Sequence, residues 1–450
     1  MTKVFMAVIA LFILTILPSA PAGASDQGDA VINELVGGIS TEVEKIRGLD
    51  FYAPLKSEVI SADELMTYLT SELNEQVPPE KEKAIELVYG QLGLIPAGTK
   101  FVDTYKAMYE QQASGIYDWR GNRMLIVASN LPGLSEDGEI GGGMLSLLGV
   151  DPDVLLKTVL SHELCHALED QHFQFNQRFK EIQKMSSSDR EFALQALVEG
   201  SATHLMMAYL TGGKPMTPLQ RNLNSMLTNI MTDLSMDLPL YFKRSLTAPY
   251  TIGEGFVNYV ITNDDGWRAV NAAFEDIPAS MEQVLHPAQY FNQRDYPSEI
   301  QLADFKDKLG AGAKDLLQDT LGEMVIDILL DVQLKRDDFQ DAPAGWDGDR
   351  LAGIQGADGE VTIVWHSVWD TPNDADEFSA ALLKYITAEL GETAINHGQM
   401  GNQTKVTDSG GREYIIGTES DEVILIDHAP AGLGAILYTM ALCEDVVVRK

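Results

Sequence analysis

The stretch "TVLSHELCHALEDQH", Thr158 to His172, places three of the chain's eight histidines within eleven residues. Val159, Leu160, Leu164 and Leu168 recur around them at helical spacing, which predicts a helix with a face in a core. On such a helix His162 and His166 stand one turn apart on one face, about 6 Å along the axis. Two imidazoles at that spacing reach a single tetrahedral zinc ion at ~2.0–2.1 Å. Glu163 follows the first of them. A carboxylate beside the metal can take the proton of a zinc-activated water as it attacks a carbonyl. H-E-x-x-H is the short motif for this arrangement. The rival reading is two surface histidines on an amphipathic helix, and the apolar flanks oppose it.

A third ligand has two candidates. "HELCHALEDQH" matches the metzincin string H-E-x-x-H-x-x-G-x-x-H except at Glu169, where that pattern has glycine. Glycine lets the chain leave the helix through a conformation that costs other residues energy. With the helix continuing, His172 lies about 9 Å beyond His166 and about 240° around the axis. Glu199, in "ALVEGSAT", is a carboxylate inside a long segment that is otherwise apolar, which is costly unless a cation compensates it. We therefore expect Glu199 as the third ligand and His172 outside the site. Asp170, one turn beyond His166, has two readings, a partner for a ligand imidazole or an exposed acid at the helix end.

Outward from the motif, Asp151-Pro152 marks a helix start, and Ser188 to Glu191 is a capping box opening "EFALQALVEGSATHLMMAYL". Upstream, "SGIYDWRGNRMLIVAS" reads as strand, turn at Arg120-Gly121-Asn122, and strand, followed by a loop containing Gly141 to Gly143. The first strand is a candidate edge for an extended peptide, with Tyr117 either on the cleft wall or, the stronger reading, a core aromatic of the strand. Ser61 to Glu64 is another capping box, in a helical stretch from about Asp26 to Gly93. Beyond a boundary near Pro297, helical and strand-like segments alternate. "GWDGDR" and "WDTPNDADEF" group acids there, but neither matches an EF-hand, and they read as turn-forming acids.

At the N-terminus, Lys3 precedes an apolar run from Val4 to Leu17 and then Ala22-Gly23-Ala24. The run is short for a bilayer span, so a signal peptide covering 1–24 is expected, with a secreted or periplasmic product and no stable membrane span after cleavage. The formal net charge of −35 opposes binding to nucleic acid or anionic lipid. Two cysteines, Cys165 and Cys443, permit no disulfide framework, and Cys165 in a helix pattern reads as a buried thiol.

These strings carry a resemblance. The chain is similar to the zincin metallopeptidases of the gluzincin type, with H-E-x-x-H on one helix and glutamate on a following one. It also resembles a group of mostly uncharacterised secreted prokaryotic proteins that carry HExxHALxDQ, ALxEGxA and LHPxxY. This chain has "HELCHALEDQ", "ALVEGSA" and "LHPAQY". It departs at Ser201, where an acid would be expected. The resemblance implies His162, His166 and Glu199 as zinc ligands and Glu163 as base. His286 and Tyr290, from the last string, are candidate donors to the oxyanion, His286 the favoured one; the other reading has His286-Pro287 capping a helix and Tyr290 packing.

The fold expected is α+β. A helical lead (25–110) precedes a mostly helical zincin-like catalytic domain with a small sheet (111–297). A smaller α+β domain (298–450) follows. The function expected is zinc-dependent hydrolysis of a peptide or protein substrate. Two alternatives are an inactive zincin-fold binding protein and a zinc hydrolase of a non-peptide amide.

Overall fold

The computed structural model describes residues 26–112, 115–127, 152–213, 238–292, 294–443 and 445–447. The signal peptide and the Gly141 to Gly143 loop lie outside these residues. The architecture is α+β, with a helical first part and a strand-rich second part.

The first described helix, α1 (Asp26–Arg47), buries Ile32, Val36, Ile39 and Val43, spaced three and four apart on one stripe. β1 (Lys56–Val59) follows, then α2 (Ala62–Gln76), whose start is the expected capping box. Ser61 Oγ accepts from Glu64 N–H at 3.2 Å, and Glu64 Oε2 accepts from Ser61 N–H at 2.8 Å. α3 (Pro79–Gln91) and α4 (Phe101–Gln112) complete the helical lead. The hairpin is β2 (Gly115–Asp118) with β3 (Arg123–Ile126), and its turn is closed by Asp118 Oδ1, which accepts from Arg120 and Gly121 N–H. β1 pairs in parallel with β3, so the sheet order is β1-β3-β2 and β2 is an edge. The sequence reading had not placed a strand at β1.

The histidine helix is α5 (Pro152–Phe173) and runs through Glu169 without a break. After α6 (Phe175–Gln183) comes α7 (Ser188–Leu210), buried along nearly its whole length. Its N-cap is Ser187, one residue earlier than the capping box predicts, with Ser187 Oγ accepting from Arg190 N–H at 3.2 Å. Ser188 is taken instead by Asp319: its N–H and hydroxyl donate to the two carboxylate oxygens at 2.8 and 2.6 Å. α8 (Leu240–Asn263), α9 (Trp267–Glu275), α10 (Met281–Leu285) and α11 (Pro287–Phe291) follow.

β4 (Glu299–Gln301) pairs with β12 (Asp445–Val447) at the C-terminus. Between them, β5 (Lys314–Asp319), α12 (Gly322–Gln333), α13 (Arg336–Phe339), β6 (Trp346–Gln355), β7 (Val361–Trp369), α14 (Pro372–Leu390), β8 (Ile395–Met400), β9 (Gln403–Thr407), β10 (Glu413–Glu419), β11 (Glu422–Ala429) and α15 (Gly434–Leu442) build a seven-stranded antiparallel sheet with its helices. Its order is β5-β6-β7-β11-β10-β9-β8. Both faces are covered, and alternation sorts them. Ile363, Trp365, Ile416 and Leu425 join α12 and α14 in the main core, while Ile354, Val364, Ile415 and Ile426 face α15.

That main core runs across Pro297: Val198 and Tyr241 belong to the same buried cluster as Leu329 and Trp365. Cys165 is buried and free, and Cys443 is exposed and free. Among the described residues no helix is long and apolar enough to cross a membrane.

Candidate metal centre

α5 and α7 pack side by side, and α7 also packs closely against α8. Gly200 and Gly253 mark the α7–α8 crossing. A Cβ on Gly200 would stand 2.2 Å from the Gly253 backbone, so only glycine fits. Glu199 precedes this contact, and the close approach fixes the height at which its side chain leaves α7.

His162, His166 and Glu199 converge there. His162 Nε2 lies 3.0 Å from His166 Nε2, and Glu199 Oε2 lies 3.2 and 3.3 Å from the two nitrogens. Two donors at ~2.05 Å from one tetrahedral ion would be about 3.3 Å apart. The three side chains are 1%, 1% and 0% exposed, so the donors meet out of contact with bulk solvent. Both Nε2 atoms point inward, which leaves the ring protons on Nδ1 when the imidazoles bind a cation; neither Nδ1 has a partner among the described residues. Two neutral imidazoles and one carboxylate make a nitrogen-and-oxygen donor set suited to zinc. The residues fit a metal ion, and together they form a buried group able to hold one.

Without a cation the group balances its own charge, the Glu199 carboxylate against a protonated His166 that a bound metal would replace. Burial alone would raise the Glu199 carboxyl, but His166 and His162 outweigh it and bring it down to about 2, so it stays ionised. His166 is lowered by burial and pushed up more strongly by Glu199, to about 9. Glu163 is 2% exposed, and burial pushes it up to about 7. Its Oε2 accepts from Tyr117 N–H at 2.9 Å, which places the base against the outer edge of β2.

The remaining expected residues sort as follows. His172 points away from the centre: its Nε2 is 2.8 Å from Asp50 O, and its ring packs on Tyr52 at 4.0 Å. Asp170 serves the fold around the site rather than an imidazole, accepting from Tyr117 Oη at 3.1 Å and from Phe175 N–H at 2.9 Å. His286 Nε2 is engaged by Glu323 at 3.0 Å. Tyr290 Oη donates to Asp276 O at 2.7 Å.

Two further features adjoin the site. Tyr250, just after Pro249 within α8, lies parallel to His162 with ring centroids 6.0 Å apart. Glu169 is fully buried and receives Arg47 Nε at 2.6 Å and Ser201 Oγ at 2.5 Å. That Glu169 is an acid in a helix facing a core was visible; a basic partner from α1 was not, because the two residues are far apart in sequence.

Comparison with known proteins adds little chemistry. A domain of unknown function, DUF8575, matches residues 311–435, most of the second part of the chain. No curated protein matches the chain. A crystal structure from Chloroflexus aurantiacus, provisionally named a hydrolase with a novel fold, is similar at 19% identity and TM-score 0.42, covering 60% of this chain and 91% of that one.

Proposed function

We propose that the chain is a zincin-type, zinc-dependent hydrolase of peptide bonds that works outside the cytoplasm. One observation carries the reading: the metal-facing atoms of His162, His166 and Glu199 meet within 3.3 Å in a buried space, with the Glu163 carboxyl on the same helix. Zinc held by this set would polarise a carbonyl and make water a nucleophile near neutral pH.

The chain's own residues supply the rest. An extended peptide adding to β2, an edge strand among the described residues, would meet the side of the hairpin where Tyr117 N–H faces Glu163. Glu163, raised by burial to about 7, is poised to take a proton from the attacking water and return it to the leaving amine. We assign Tyr250, beside His162, as donor to the developing oxyanion, since His286 and Tyr290 are engaged by Glu323 and Asp276.

Metal analysis of the purified chain beside its His162→Ala variant tests this, together with hydrolysis of an unfolded protein before and after chelation. One zinc per chain, lost in the variant, and cleavage restored by added zinc are expected. A chain that binds zinc and cuts no peptide would instead be a binding protein on the same fold.

A further inference from the structure

A second group of acids lies away from the zinc ligands. Carboxylate oxygens of Glu282, Asp295 and Asp370 lie within 4.8 Å of one another. They come from three separate segments: α10, the stretch leading to β4, and the residue after β7. Acids gathered on a surface signify little, but Glu282 is 1% exposed and its Oε1 has no partner among the described residues. A buried carboxylate aimed at two others is costly unless a cation joins them.

The only basic group the protein brings near these acids among the described residues is the His286 imidazole, raised first by its bond to Glu323 and also by Asp370. Burial, followed by Glu323, Asp370, Asp295 and Asp189, pushes the Glu282 carboxyl up to about 10. Asp370 is pushed up to about 6 by burial, then by Asp295, Asp347, Asp374 and Glu323. Arg294, next to Asp295 in sequence, turns to Asp276 and to Ile277 O. His286 is bound to Glu323. No lysine or arginine pairs with any of the three acids among the described residues.

The backbone holds the three in place. Asp370 N–H donates to Gly345 O at 2.7 Å, Asp295 N–H donates to Gln289 O at 2.9 Å, and Gln283 Nε2 donates to Asp295 O. Met281 N–H at the start of α10 donates to Asp189 Oδ1 at 2.9 Å. The site is therefore built by the fold, not by one flexible loop.

We propose that Glu282, Asp295 and Asp370 bind a calcium ion that fastens α10 to the end of β7. All the ligands are carboxylate oxygens, which suits a hard cation and not zinc. The oxygens lie close enough to share one ion, and calcium tolerates the irregular geometry of three acids from separate segments, whereas magnesium demands a near-ideal octahedron at ~2.1 Å. The half-buried Asp295 and exposed Asp370 leave room for water to complete the shell. This site stands whether or not the first centre binds zinc.

Calorimetric titration of CaCl2 into the full chain, in calcium-free buffer with zinc kept saturating, tests the proposal alongside thermal unfolding. One calcium per chain with micromolar to millimolar affinity is expected, with a rise in Tm of several degrees. Asp370→Asn and Asp295→Asn should lose both responses. Glu282→Gln should lose them too, and should melt higher than the parent at neutral pH without calcium, because folding no longer has to protonate a carboxyl raised to about 10. Absence of calcium binding at millimolar concentration would overturn the proposal. So would an Asp370→Asn variant that binds like the parent, or an equal response to magnesium. Asp370 is exposed, so its variant keeps the test valid even if Glu282→Gln does not fold.

Discussion

Arg47 donates its Nε to Glu169 Oε1 at 2.6 Å, with no exposed surface on either side chain. Ser201 Oγ shares the same oxygen, so one carboxylate ties α1 to both ligand helices. The guanidinium also lies 4.6 Å from the Trp267 ring, while its two terminal nitrogens find no partner among the described residues. A buried pair this incompletely satisfied gains little over apolar packing, yet breaking it strands a charge. Arg47→Ala should cost about 3–5 kcal/mol, whereas Arg47→Met combined with Glu169→Leu should recover most of that. Denaturant unfolding of the single and double variants is the measurement.

Glu163→Gln should keep its zinc and lose turnover. The amide preserves size but cannot take a proton, and general-base removal typically costs ~10²–10⁴ in rate. Metal content and peptide hydrolysis, measured on one preparation, separate the two effects. Near-normal cleavage would remove Glu163 from the role of base.

Glu199→Ala should lose most bound zinc, and His172→Ala should keep it. The first change removes one of three converging donors; the second removes a ring occupied with Asp50 O and Tyr52. Zinc analysis after dialysis decides between them, and a reversed result would indicate a metzincin-like site.

Gly200→Ala should destabilise the chain by about 3 kcal/mol and weaken zinc binding together. The added methyl meets Gly253 backbone, which cannot rotate aside as a side chain could. Separating α7 from α8 displaces the neighbouring Glu199. Thermal unfolding with and without zinc should show both losses; a stable variant with unchanged affinity would mean the crossing does not set the ligand's position.

Glu389 gives a pH-dependent expectation. Burial pushes its carboxyl up from 4.5 to about 7. A raised acid binds its proton more tightly in the folded chain. Its stabilising contribution is complete below the unfolded pKa and is lost as pH rises through about 7. Glu389→Gln should therefore melt with the parent near pH 4 and above it near pH 8, by about 1–3 °C for a chain of this size. Melting curves at the two pH values check the sign.

The helix bearing His162 and His166 was legible because ligand spacing and core periodicity coincide in one short segment. Glu199 was legible for another reason: an acid in an apolar helix calls for a compensating charge. The strands β6 and β7 differ instructively. "EVTIVWHSVWD" is mostly apolar or β-branched and reads as a strand, while "WDGDRLAGIQ" carries glycines and acids and does not. Its strand form comes from pairing with β7, and Asp349 within it is satisfied by the Trp346 and Trp365 indoles and by Leu321 and Gly322 N–H. The acids of Trp369 to Phe378 looked like turn formers because Glu282 and Asp295, which meet Asp370, lie far upstream. Spacing along the chain records contacts within an element; those assembled by tertiary packing leave no such trace.

Asp319 holds the start of α7 through Ser188 and also accepts from Tyr89 Oη at 2.6 Å. All three proposed zinc ligands are synthesised well before it. A nascent fragment ending ahead of β5 contains the ligands without the acid that anchors their helix. On the proposed reading, the ligand set gains this anchor only after residue 319 of 450 has been made. The order of residues thus makes the fastening of the Glu199 helix a late event in synthesis.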